Sequence, residues 1–303
     1  MSSIPISMEP TNISVITAEE EKGQSLWEDA WHRLLKNRMA VLGGLIILAE
    51  IVLALATPWI APYGFEVQNL ENALAAPSWA HWMGTDTLGR DVFTRVLYGG
   101  RISMLVGFLA SMVTVIVGVV YGAVSGFIGG KLDNLMMRVV DVLYALPFVF
   151  LVIILMVYFG RNIYLLFVAL GLTQWLTMAR IVRGQVISLK RKEFIEAAES
   201  MGISKGSIIL RHLIPNSLGP VIVYLTLTVP SVMLEEAFLS FLGLGVQAPM
   251  ASWGTLISNG VDVMEIAPWN LLFPALALSI TLFSLNFLGD GLRDALDPKG
   301  AKD

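Results

Sequence analysis

Residues 101–126 read RISMLVGFLASMVTVIVGVVYGAVSG, a run in which Arg101 is the only charged residue. At about 1.5 Å per residue, a helix of this length exceeds the roughly 30 Å hydrocarbon core of a bilayer. A helix apolar on every side belongs in a membrane or a large core. Five further stretches have the same character, at 39–61, 135–159, 162–181, 213–240 and 269–290. Of the 303 residues, 55% are hydrophobic and only 15% charged, so the apolar runs dominate the whole chain. Soluble domains carry about 25% charged residues. The expectation is an all-α polytopic membrane protein with six transmembrane helices.

The polar remainder orients it. Of the 20 Lys and Arg, all but Arg90, Arg95, Arg101 and Arg161 fall on the same side of the membrane as the N-terminus. The positive-inside rule then puts both termini in the cytosol, loops 62–100 and 243–268 outside, and the segment 182–212 inside. A cytosolic segment 1–38, a membrane domain 39–290 and a tail 291–303 follow from that division. The first 39 residues hold no apolar core of a signal peptide, so no cleaved signal is expected. From Ser25, the residues Leu26, Trp27, Ala30, Trp31, Leu34 and Leu35 recur at helical spacing between charged ones. This predicts an amphipathic helix on the membrane surface, with packing against a partner protein as the alternative.

Gly118, Gly122 and Gly126 stand four apart and form one smooth stripe against which another helix backbone can pack. Pro147, Pro220, Pro230 and Pro274 interrupt other crossings; moving bends and fixed kinks are both compatible with them. Ionisable groups within a membrane are costly and therefore point to function. Here these and other polar groups are Glu50, Arg138, Asp141, Gln174, Glu235, Glu236 and Asn286. Glu50 lies mid-crossing, and Gln174 with its neighbour Trp175 suits a cavity wall. Arg138 and Asp141, three apart, read as an ion pair, and Glu235 and Glu236 lie at an outer end where water or a partner would solvate them. With the exception of Arg138, these residues are the candidate pathway set.

Enzymatic chemistry finds little support. The net charge of −4 argues against nucleic acid, and the absence of cysteine excludes disulfides and thiolate sites. His32, His81 and His212 form no HExxH pair, so neither a metal site nor a catalytic cluster is visible. Ser125-Gly126-Phe127-Ile128-Gly129-Gly130-Lys131-Leu132 lacks the first glycine and the final hydroxyl of a phosphate loop. If ATP drives this protein, another chain binds it. A proton-driven carrier would use Glu50, Asp141 or Glu235, yet it should show an internal repeat, and none is seen between 39–160 and 162–290.

The most informative polar segment is Glu193-Phe194-Ile195-Glu196-Ala197-Ala198-Glu199-Ser200-Met201-Gly202, nine residues, then His212-Leu213-Ile214-Pro215. It reads as a short helix stopped by a glycine with left-handed backbone angles, a second helix, and a proline at re-entry to the membrane. Ala197 and Ala198 offer a small-residue surface, and Glu193, Glu196 and Glu199 offer carboxylates to a partner's basic groups.

That pattern resembles the EAA motif of permease subunits in bacterial ABC importers. His81-Trp82-Met83-Gly84-Thr85-Asp86-Thr87-Leu88-Gly89-Arg90-Asp91-Val92 is similar to the external-loop signature of the C-type permeases for peptides and nickel. Asp133, Met137-Arg138, Asp141 and Pro147, with Gly289-Asp290-Gly291-Leu292-Arg293-Asp294-Ala295-Leu296-Asp297-Pro298, extend the likeness over nearly the whole chain. Arg191 to Ala198, Arg211 to Asn216 and Phe238 to Gly245 look most like the oligopeptide branch. His212 stands where the pattern has an apolar residue, a variation that the peptide branch shows. The resemblance implies a type I ABC importer permease fold. It also implies a heterodimer with a second permease subunit, two ATP-binding subunits that hold ATP and Mg, and an external peptide-binding protein. Glu193, Glu196, Ala197, Ala198, Gly202, His212 and Pro215 would then form the coupling surface for an ATPase, in a chain that sits in membrane lipid and catalyses nothing itself. Dipeptides and nickel chelates are the alternative cargoes.

Overall fold

The computed structural model describes residues 26–160 and 162–296. The early acidic stretch with Glu9 and Glu19 to Glu21, Arg161, and the tail from Asp297 lie outside the described residues. The helices are α1 Leu26–Lys36, α2 Arg38–Ile60, α3 Val92–Ile128, α4 Gly130–Ala145, α5 Phe148–Phe159, α6 Ile163–Leu189 and α7 Glu193–Ser200. There follow α8 Lys205–Ile208, α9 Ile214–Asn216, α10 Leu218–Phe241, α11 Trp253–Val261 and α12 Trp269–Leu296. Among the described residues the only bridge between extended segments pairs Thr85 with Asp91. The protein is all-α.

Five helices, α2, α3, α6, α10 and α12, are long and apolar enough to cross a bilayer, and α4 with α5 makes a sixth if the pair counts as one span. The pair is bent by 86°, so the interruption expected at Pro147 within 135–159 is a sharp break between two helices. Proline lacks an N–H and drives the residue before it out of the helical region. Leu146 is accordingly extended, at φ −80° and ψ 127°, and α5 restarts after Pro147. Pro220, in the first turn of α10, and Pro230 and Pro274, inside α10 and α12, leave their helices continuous.

The expected glycine stripe faces α6. A Cβ at Gly118 would lie 2.6 Å from Met178 Cβ, one at Gly122 2.3 Å from the Ala179 carbonyl oxygen, and one at Gly126 2.8 Å from that of Arg183. No larger residue fits without parting the helices. Thr114 Oγ1 donates to the Gly171 carbonyl at 3.3 Å across the same seam. Toward one end Val106, Ala110, Leu166 and Leu170 close the core; toward the other Val119, Phe127, Met178 and Val186 do. Without a hydrophobic drive between helices in lipid, such contact and hydrogen bonding are what hold a bundle together.

At the N-terminal end of α3, Trp253 on α11 donates its indole N–H to the Val96 carbonyl at 2.9 Å and its backbone N–H to Ser103 Oγ at 2.9 Å. The opposite end of α3 meets α7 and α8. Helix α1 packs on the bundle: Ala30 and Leu34 are buried with Ala40 and Ala295, at the junction of α2 and α12. Trp31 and Leu35 stay exposed, free for lipid or a partner.

The packing predicts an asymmetric glycine scan. Gly122→Leu should destabilise the protein by about 1–3 kcal/mol or more through overpacking, read as a lower midpoint in thermal unfolding in detergent. Gly184→Ala, with nothing within 4 Å of the added Cβ, should leave that midpoint unchanged or slightly raised. Equal midpoints for both variants would contradict the seam.

Candidate functional site

The segment after α6 is built from its caps. The turn Lys190 to Lys192 closes α6, and α7 then ends in a paired capping arrangement. Gly202 N–H donates to the Glu199 carbonyl at 3.0 Å and Ile203 N–H to that of Ala198 at 3.1 Å. This geometry needs a positive φ at Gly202, which stands at +76° with open space around it. Ser204 accepts from Ser207 N–H and starts α8. Between α8 and α9 the chain widens into a π-helical turn, Ile209–Leu213, and Ile214 N–H reaches back to the Ile209 carbonyl. Pro215 follows immediately and has no N–H to continue a regular ladder.

Glu193, Glu196, Ala197 and Glu199 are exposed on one face of α7, whereas Ile195 and Ala198 are buried on the other. The expectation that both alanines face outward is therefore half corrected. Ala198 is 1% exposed and packs with Phe127, Val186, Ile208 and Leu213, because the spacing of 195 and 198 puts it on the inner face beside Ile195. His212 is half-buried, and its carbonyl accepts from Asn216 Nδ2 at 2.6 Å; Pro215 is exposed.

A charged clamp ties α7's platform to the bundle, and Arg183 in it was not singled out by sequence reasoning. Asp133, on α4, receives Arg183 Nε and Nη2 at 2.6 Å each, and Ser125 Oγ at 2.5 Å. Lys190 Nζ donates to the Phe127 carbonyl at 2.6 Å. The visible signal was an aspartate at a helix start with an arginine in the next basic run. Its pairing depends on a helix crossing that spacing does not reveal.

The candidate pathway residues separate into different neighbourhoods. Gln174 Nε2 donates to Glu235 Oε1 at 2.5 Å, and both line a cavity of about 330 Å³ with Tyr144, Pro147, Thr173 and Thr177. Asp141 does not pair with Arg138, as its spacing suggested, but with Arg180 of α6 at 2.8 Å; the Arg180 guanidinium lies 4.6 Å from the centre of the Tyr144 ring. The packing of α6 against α4 brings Arg180 to Asp141, a contact that the i, i+3 spacing along α4 does not reveal. Trp175 leaves the cavity wall: it is buried among Val140, Leu176 and Ala179, edge-on to Tyr121 at 4.8 Å. One residue of helix rotates a side chain by about 100°, which carries it away from Gln174's face. Glu236 is 1% exposed rather than solvated, and its Oε1 accepts from Ser240 and Ser252 hydroxyls at 2.6 and 2.7 Å. Glu50 accepts from Thr281 Oγ1 at 2.9 Å between α2 and α12, and Asn286 is exposed on α12, donating to the Leu282 carbonyl.

Comparison with known proteins fits this architecture. The pattern of the binding-protein-dependent transport system inner membrane component matches residues 118–302, and that of the N-terminal transmembrane domain of oligopeptide transport permease C matches 25–77. The oligopeptide transport system permease protein of Escherichia coli K12 is 52% identical over 282 residues, covering 92% of this chain and 93% of that one. Its Bacillus subtilis counterpart is 45% identical over 302 residues, 99% of each chain. The dipeptide transport system permease protein of B. subtilis is 48% identical over 276 residues, 91% of this chain and 86% of that one. The chain belongs to the binding-protein-dependent transport permeases. Among these ABC importer subunits it is of the oligopeptide permease C type, a membrane-embedded component that works with other subunits.

In this permease the two ion pairs should differ in weight. Arg183→Ala leaves the Asp133 carboxylate without its fork, and because the Arg183 end of the pair is one-third exposed, destabilisation of about 1–3 kcal/mol is expected. Arg180→Ala breaks an exposed pair worth about 0–1 kcal/mol. Thermal unfolding of the two variants in detergent measures the difference, and equal midpoints would contradict the clamp.

Proposed function

We propose that this permease forms half of the translocation pathway of an ATP-driven oligopeptide importer. The observation that carries the reading is the 52% identity to an oligopeptide permease across nearly the full length of both chains. The pathway's other half would come from a second permease subunit in a heterodimer. Two ATP-binding subunits would hold ATP and Mg, and an external binding protein would deliver peptide. Both termini, α7 and residues 182–212 lie in the cytosol in this reading, supported by the Lys and Arg asymmetry.

The geometry suggests how coupling works. The exposed carboxylates of Glu193, Glu196 and Glu199 suit basic or hydrogen-bonding groups in a groove of the ATPase. Ile195 and Ala198 fix α7 to α3 and α6, so a push on α7 moves that pair. The bend at Pro147 opens the cavity beside Gln174 and Glu235 on the α6 flank, where a passing peptide meets polar groups in an otherwise apolar wall. A cavity that serves many peptides needs water and space more than fitted side-chain pockets. Dipeptides are the second reading, favoured by the 48% identity to a dipeptide permease.

Three measurements test this. In vesicles holding the complete transporter, wild type should take up a short peptide only with ATP. Glu196→Lys, which removes a charge-assisted bond worth about 1.5–3 kcal/mol, should lose roughly tenfold or more of that uptake at normal membrane levels. Gly202→Asp should do likewise by straining the cap. Wild-type uptake in both variants would return α7 to an ordinary solvated turn. For topology, the chain lacks cysteine, so single cysteines at the exposed positions Ser78 and Glu265 should react with an impermeant thiol reagent in intact cells, and one at Ser204 should not. The opposite labelling would invert the topology.

A further inference from the structure

At the end of α3 remote from α7, a cavity of about 280 Å³ lies between the start of α3, the end of α10, residues 243–250 and α11. Arg90 and Arg95 reach into its wall although they are only 8% and 3% exposed. Asp86 stands between them. Its Oδ1 accepts the Leu88 and Arg90 backbone N–H groups and its Oδ2 the Arg90 Nε at 2.7 Å. Arg95 Nε is 3.6 Å from the same oxygen, close enough to attract but not to bond, and has no hydrogen-bond partner among the described residues. Arg95 Nη1 donates to the Phe65 carbonyl at 3.3 Å.

Two guanidinium groups thus share one carboxylate, and the pair keeps a net positive charge in a recess. The polar groups that line the rest of the cavity, Ser240, Gln247, Ser258 and Asn259 among them, are neutral. The carboxylate beneath Ser240, that of Glu236, is engaged by two serine hydroxyls. Burying an uncompensated charge is strongly unfavourable. A guanidinium offers a planar fork of donors whose geometry matches a carboxylate. None of this is used by the coupling surface or by the Gln174 and Glu235 cavity.

We propose that Arg90 and Arg95 form a carboxylate-binding site that receives the C-terminal carboxylate of the transported peptide. The proposal rests on the oligopeptide reading and adds a subsite to it. The recess favours a chain end over the acidic surface of a docking protein, because the arginines lie below the surface and a flexible terminus reaches them. The cavity is near the lower limit of ligand pockets, about 300–1,000 Å³, which suits a terminal residue rather than a whole peptide. A terminal carboxylate is also common to every free peptide whatever its side chains, so the site would grip cargo without reading its sequence.

The test uses the complete transporter in vesicles, with its binding protein, and compares uptake of trialanine as the free acid and as the C-terminal amide. Because the binding protein is the same throughout, its own preference cancels when variants are compared with wild type. Arg95→Gln and Arg90→Gln should lower the acid-to-amide uptake ratio by about tenfold, the range expected for a lost charge-assisted bond. Ser258→Asp, which keeps both arginines and places a resident carboxylate on the cavity wall, should lower the same ratio. An unchanged ratio in all three variants overturns the proposal. An equal fall in acid and amide uptake also overturns it. Failure of the wild type to take up either peptide would refute the oligopeptide reading itself.

Discussion

Where α3 and α6 cross, backbone meets backbone. At Gly122 the space for a methyl group is already filled by a carbonyl oxygen of the other helix, and the same holds one turn away on either side. A seam this close has no slack: the helices cannot slide or part without losing contacts along several turns. Everything attached to the seam inherits its rigidity. Phe127 and Val186 carry it to Ile195 and Ala198 of α7, and Asp133, held by Arg183 and Ser125, fastens the start of α4 to it. The inner face of α7 is therefore part of the bundle's core, while its outer face is left free with three carboxylates.

The remaining polar groups follow a common pattern: the four carboxylates of Glu50, Asp141, Glu235 and Glu236 have each found a partner on another helix or loop. Asp141 meets Arg180, Gln174 meets Glu235, Glu236 meets Ser252, and Glu50 meets Thr281. These pairs offset much of the cost of desolvation, and they also staple elements that apolar contact alone holds loosely. They leave two kinds of interior. The α3 and α6 seam is tight, whereas the bend at Pro147 opens a cavity with a few polar groups in an apolar wall and the recess beside Arg95 is more polar.

The sequence made the helical class legible because apolar runs longer than a bilayer core allow few other folds. The glycine stripe and the left-handed stop at Gly202 were equally legible, since both depend on local spacing and on the one residue type that the geometry accepts. Pro147 was visible as an interruption, but not as an 86° bend, because the angle is set by what α4 and α5 pack against. Pairings were the least legible. Arg138 was the near neighbour of Asp141 along the chain, yet the helix crossing brought Arg180 instead. Trp175 and Glu236 each sit one residue from a cavity-facing neighbour, and a single step along a helix turned them inward. Arg90 and Asp86 were seen only as parts of a loop signature, because their closeness to Arg95 arises from the fold of residues 62–91 onto the start of α3.

The central claim is that α7 and α3 move as one body. The direct measurement is a spin-label distance between Ser200→Cys on α7 and Val120→Cys on α3, both exposed positions in a chain without native cysteine. It would be taken in the assembled, transport-competent complex, first without nucleotide and then with ATP trapped on the partner subunits. The account predicts the same distance distribution in both states. A shift of several ångströms between them would show that α7 slides on the bundle rather than carrying it, and would contradict the account.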